Sequence, residues 1–207
     1  MKIRLGDLRR LIRESLETVD LAAVKNVRGG EVTITLYRPS ALRSVMESTA
    51  DFPPSRGHRL RGLIDEGGVV GHLKVFGPVV ECGGAWELSE IWGPGYGQLL
   101  ANLAFAISNK IVIDRGVVLS PGLTLWKKVT AEMTSEPLPS GCETDHTEDV
   151  LNRVYSSSGD PAALDELTSR HAALMLELSE EFNVAPKWME EDLVNAAARQ
   201  FHATTGG

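Results

Sequence analysis

Between an apolar extended run and an apolar helical run the chain reads IWGPGYGQLL, and no other stretch restricts its folding as tightly. Gly93, Pro94, Gly95 and Gly97 crowd around Tyr96. Neither a strand nor a helix passes through such a cluster, because proline lacks an N–H and glycine loses the most backbone freedom on ordering. Downstream, Leu99, Leu100, Leu103, Ala104 and Ile107 recur at helical spacing. The segment is therefore a strand, a loop and a helix start. As a bare corner it only turns the chain. As a binding loop it offers unpaired helix N-terminal amides and the positive end of the helix dipole to an anion.

The flanking elements follow from periodicity and breakers. Leu5, Leu8, Leu11, Ile12, Leu16 and Val19 predict an amphipathic N-terminal helix, assigned to residues 1–30. Val32, Ile34 and Leu36 alternate as in a half-buried strand, and SALRSVMESTADF predicts a short helix. HRLRGLIDE and VVGHLKVFG read as two strands joined by a Gly67-Gly68 hairpin turn, and VVECGGAWELSEIW as a third. KIVID predicts a buried strand. SPGLTLWKKV predicts a helix capped by Ser120, with Trp126 packed in the core. Residues 31–130 thus form one core. Residues 131–149 are polar and turn-rich, and are expected as a linker to a helical extension over 150–207. The expected class is α+β: a mixed, mainly antiparallel sheet flanked by helices.

Charge narrows the partners. Net charge is −7, but residues 131–207 carry four Lys/Arg against fifteen Asp/Glu, a local −11. That tail repels phosphates, so no nucleic-acid partner is expected. Its helix-turn-helix cadence carries Glu190, Glu191 and Asp192 where phosphate contacts need cations, and reads instead as packing or protein-binding helices. No apolar run reaches the roughly 18 to 20 residues of a membrane span, so no membrane is expected. The basic N-terminus lacks a secretory pattern, and Cys82 and Cys142 show no pairing pattern, which points to a cytoplasmic setting.

No Gly-Lys-Ser/Thr follows the loop, and an antiparallel meander precedes it, so neither familiar nucleotide loop fits. WGPGYGQLL instead resembles the R/Q-x-x-G-x-G/A signature of the N-acetyltransferase (GNAT) superfamily, with Gly95 and Gly97 at its glycines. GYGQLL with DRGVVLSPGLTLW is more closely similar to small phage-type GNAT-like proteins carrying GYGPLLYD and DR-x-x-V-SP. The resemblance implies a GNAT-like core, acetyl-CoA as cofactor, and transfer of its acetyl group to an amine of a protein or small molecule. In the family the signature joins the fourth strand to the third helix. Cofactor contacts then fall to Gly93, Gly95, Tyr96, Gly97, Gln98 and Ser120.

A base near the thioester would come from Glu87 or Glu90 on the entering strand, with Glu87 preferred. Their offset of three places them on opposite faces of a regular strand unless a bulge intervenes. Asp114 and Arg115 end the next strand, where ligand contact and ion pairing are equal readings. Trp92 stands where the signature has Arg or Gln, and Lys127 where the family has its general-acid Tyr. These departures support an alternative: a scaffold without catalysis whose acidic tail docks a host or virion protein. Cys142, Asp145 and His146 read as part of the linker rather than as a nucleophile pair, and no metal site is expected. Homo-oligomerisation is left open.

Overall fold

The computed structural model describes residues 20–49, 56–115, 120–131 and 133–205. The N-terminal helix expected over the leading residues lies outside them up to residue 19. The elements run β1 (Ala22–Arg28), β2 (Glu31–Tyr37), α1 (Pro39–Ser48), α2 (Arg56–Asp65), β3 (Val69–Val79), β4 (Ala85–Trp92), α3 (Gly97–Ile107), β5 (Lys110–Ile113), α4 (Ser120–Thr130), β6 (Thr134–Pro137), β7 (Arg153–Ser156), α5 (Pro161–Phe182) and α6 (Pro186–Thr205). The strands make a seven-stranded sheet in the order β1-β2-β3-β4-β5-β7-β6. β4 and β5 run parallel, whereas β3–β4, β5–β7 and β6–β7 are antiparallel. The class is the expected mixed, mainly antiparallel α+β. Among the described residues no helix is long and apolar enough to cross a membrane.

Several local expectations are corrected. HRLRGLIDE is not a strand but helix α2, which buries Arg59, Leu60 and Leu63 at helical spacing. The Gly67-Gly68 pair closes that helix rather than a hairpin: the Gly67 and Gly68 amides donate to the Ile64 and Leu63 carbonyls at 3.0 and 2.8 Å. Gly67 takes φ +60°, the left-handed setting of a helix C-terminus. Residues 22–28 of the supposed N-terminal helix are strand β1. The supposed linker 131–149 supplies β6 and also Cys142, which is joined to Cys82 in a disulfide. That bond removes the cysteine argument for a reducing compartment.

The chain divides into two compact units, and β1, β2 and β3 contribute residues to both. One comprises the chain up to Lys25, Thr35–Gly71 and the chain from Ala162 on. In it Asp20 caps α1, accepting from the Ser40 amide at 3.1 Å and from the Ser40 hydroxyl. Arg59 of α2 meets Asp192 of α6 at 2.8 Å, with side chains 7% and 2% exposed. A relay runs from β2 to α6, buried at Tyr37 and His171 and open to solvent at Glu190. The Tyr37 hydroxyl donates to His171 Nδ1 at 2.9 Å, and His171 Nε2–H donates to Glu190 at 3.1 Å. The carboxylate fixes the proton on Nε2, leaving Nδ1 as the acceptor.

Burial, opposed by Glu190, lowers the His171 pKa. Burial, together with the Glu190 and Asp20 carboxylates, raises that of Tyr37. The folded unit thus favours neutral His171, whereas an unfolded imidazole protonates near pH 6.5. Its contribution to stability is present above about pH 6.5 and is lost as pH falls toward the lower folded value. Urea titrations at pH 7 and pH 5 test this: wild-type stability drops between them, and His171→Gln shows a smaller drop.

The second unit comprises Asn26–Ile34 and His72–Pro161. Its sheet is covered differently on its two faces. On the face of Ile111 and its partner Tyr155, Phe105 of α3 stacks on Trp126 of α4, and Trp126 meets Tyr155 edge-on. Trp126 is therefore core, as expected. On the face of Val112, a cluster of Val79, Ala85, Val112 and Val154 closes around the Cys82–Cys142 disulfide.

Candidate functional site

The β4–α3 loop is a tight turn feeding an open helix end. The Tyr96 amide donates to the Gly93 carbonyl at 2.9 Å, and the helix begins at Gly97 with Tyr96 as its N-cap residue. No side chain caps it. Gly95 takes φ +82°, with open space where a Cβ would stand. That backbone setting is one glycine adopts freely and other residues rarely do.

Gly97 has a different reason to be glycine. A Cβ there would come within 2.7 Å of Leu125 Cδ1, so its bareness admits the side chain of α4. Gln98 is exposed, while Gly93 and Tyr96 are half-buried. Ser120 opens α4, but its side chain lies outside the described residues.

The strand entering the loop carries a bulge. Lys74 pairs with Glu90 and Val75 with Leu88, so Ser89 is an extra residue on β4. Phe76 pairs with Glu87. Lys74 and Phe76 are two apart and share a face, and directly paired residues point the same way. Glu87 and Glu90 therefore share one face despite their offset of three.

The two carboxylates are held differently. Arg115, just past β5, donates Nε–H to Glu87 Oε2 at 2.8 Å, and the Glu87 side chain is 9% exposed. Glu90 receives His72 Nε2 at 3.2 Å and lies 3.5 Å from Lys74 Nζ, which also reaches Glu31 at 3.1 Å. The His72 hydrogen bond, opposed by desolvation and helped by Lys74, holds the Glu90 pKa below the ordinary carboxylate value. A lowered pKa makes Glu90 a better partner for a cation than a proton acceptor. Burial alone would lower the Lys74 pKa, but its hydrogen bonds and charge contacts to Glu31 and Glu90 outweigh it and raise the value.

Sequence reasoning passed over His72 and Lys74. Their period-two spacing on β3 was the available signal, and it gives no partner on β4 without the bulge.

At the end of β5 the ladder continues one step, the Asp114 amide donating to the Leu88 carbonyl at 3.0 Å. His146 from the supposed linker reaches this point, its Nε2 2.6 Å from the Asp114 carbonyl oxygen. Cys142, bonded to Cys82, offers no thiol to pair with His146. Lys127 meets Glu148 at 2.9 Å, and Trp92, paired with His72, is half-buried. Among the described residues no group of three or more His, Cys, Asp or Glu side chains is placed to hold a metal.

No protein-family model, characterised protein or solved structure matches the chain.

Proposed function

We propose that the chain binds acetyl-CoA at the β4–α3 loop and transfers its acetyl group to an amine of a protein or small molecule. The observation carrying this reading is the uncapped start of α3, reached through Gly95, beside the ends of the parallel pair β4 and β5. The loop joins the fourth strand to the third described helix, the position the acetyltransferase signature holds in its family. Bound there, the cofactor supplies an activated acyl thioester.

The amides of Gly97 and Gln98, in the first turn of α3, suit its pyrophosphate, because a helix start favours negative charge. Gly93, Gly95 and Tyr96 shape the approach, and Ser120 is the candidate contact from α4. Glu87 and Glu90, on one face of β4, suit an incoming ammonium group.

Gln98→Glu tests the site with little disturbance to the fold, since residue 98 is exposed in the first turn of α3. An added carboxylate there suits the helix dipole but repels a pyrophosphate. The wild type is expected to gain about 2.7 kcal/mol at acetyl-CoA a hundredfold above Kd. That corresponds to roughly 5–10 °C in Tm for a chain of this size. Gln98→Glu keeps or slightly raises the ligand-free Tm and loses most of the shift. No shift in the wild type at millimolar acetyl-CoA rejects the reading. Gly97→Arg is a poorer probe, because it strikes Leu125 directly.

A second reading, a non-catalytic protein-binding role, is favoured by Leu176 and Trp188, which stand 62% and 59% exposed on α5 and α6. It calls for partner capture that Trp188→Ala abolishes, with no amine acetylation.

A further inference from the structure

We infer that His146 is the proton acceptor for the amine nucleophile, an inference that rests on the acetyltransferase reading. The segment carrying it is fastened at several points. Cys142, four residues earlier, is tied to Cys82 within the apolar cluster on the Val112 face. Thr144 Oγ1 donates to Asn152 Oδ1 at 2.5 Å and accepts from the His146 amide at 3.2 Å. Asn152 Nδ2–H donates to the His146 and Glu148 carbonyls at 2.8 and 3.1 Å. This stretch is a mount built to hold one residue.

The mount sets both the place and the tautomer of the imidazole. A carbonyl only accepts, so the 2.6 Å contact to Asp114 O puts the proton on Nε2 and leaves Nδ1 with its lone pair. Among the described residues Nδ1 has no hydrogen-bond partner. The side chain is half-buried, accessible yet fixed.

Register places it on the correct side. Glu87 pairs with Val112, so the two share a face, and Val112 lies in the cluster that contains Cys142. The anchor of His146 therefore covers the face that presents Glu87 and Glu90. The imidazole meets the end of β5, one hydrogen bond from Leu88 of β4 by way of Asp114. In open sheets, ligands gather outside the carboxyl ends of parallel strands.

Around this point the charged groups are Asp114, Arg115 with Glu87, Lys127 with Glu148, Arg153 with Asp149, and Asp145 next in sequence. Arg115 occupies Glu87, and His72 with Lys74 occupies Glu90. His146 is the base these pairings leave available. In the transfer, the amine nitrogen forms its bond to the acyl carbon as the C–S bond breaks. His146 Nδ1 takes the proton released from nitrogen, and the departing thiolate takes one from solvent.

The test uses the full chain. In the ligand-free protein at neutral pH, ¹⁵N shifts assigned with His146→Gln are expected to show a protonated Nε2 and an unprotonated Nδ1. The opposite tautomer overturns the inference. Next, acetyl-CoA is supplied with hexylamine and with a lysine peptide, and thiol release is followed at neutral pH. His146→Gln, which keeps an N–H donor for Asp114, lowers kcat on the order of a hundredfold. It leaves the acetyl-CoA-induced Tm shift intact. A variant with an unchanged rate overturns the role of His146 while the transferase reading stands. Absence of both turnover and Tm shift in the wild type overturns both.

Discussion

Asp192→Ala is expected to destabilise the protein by about 3–5 kcal/mol, because it removes one partner of a buried ion pair. The pair is nearly sealed from water, with Nε and Oδ2 2.8 Å apart across α2 and α6. Water is nearly excluded from the pair, so the loss exceeds the median value of about 0–1 kcal/mol for an exposed pair. Equilibrium urea unfolding checks it: the midpoint falls sharply at an unchanged m-value. The double variant Arg59→Met/Asp192→Leu separates the cost of breaking the pair from its net worth. It is expected to recover most of the stability, since apolar replacement of a buried pair is often neutral. A double variant as unstable as Asp192→Ala would assign the loss to packing instead.

Removing the disulfide is the second large effect. Cys82 and Cys142 lie 60 residues apart in sequence, and closing a loop of that length restricts the unfolded chain by roughly 4 kcal/mol in the entropic limit. Observed losses usually fall below that limit, so Cys82→Ala/Cys142→Ala is expected to cost about 2–4 kcal/mol. The single variant Cys142→Ala distinguishes the bond from the packing. If cross-linking dominates, the single and double variants lose nearly the same stability. If apolar burial dominates, the losses approach additivity. Under the proposed acetyltransferase function the cross-link also bears on chemistry, because it anchors the segment that carries His146. Thiol-reduced protein would then bind acetyl-CoA normally while losing turnover, which separates this effect from general unfolding.

Much of the fold was legible because the relevant signals are local. The alternation of Val32, Ile34 and Leu36 gives β2, and the apolar spacing after Gly97 gives α3. Trp126 was recognisable as core from its helical neighbours. The failures share a physical cause, in that each depends on a partner far away in the chain. Helix α2 reads like a strand because one of its buried positions is Arg59, whose charge is met by Asp192, 133 residues later. The supposed linker reads as polar because its contribution to the apolar cluster is Leu138 and a half-cystine whose partner sits beside β4. The glycine loop was found correctly as a strand-to-helix passage. The reason for Gly97 was not visible, since Leu125 belongs to another helix.

Ser89 has a consequence that runs through chain length rather than chemistry. One supernumerary residue turns Glu87 and Glu90 to a common side, so their alliance is an arithmetic property of β4. Scanning mutagenesis that swaps one residue for another leaves that arithmetic untouched. Deleting Ser89 would leave the two glutamates two apart in an unbulged strand and still on one face, whereas a one-residue insertion beside it would send one carboxylate through the sheet while conserving every charge. An insertion at this position would therefore redraw the acidic face at one stroke, and amino-acid identity there would drift with far less consequence.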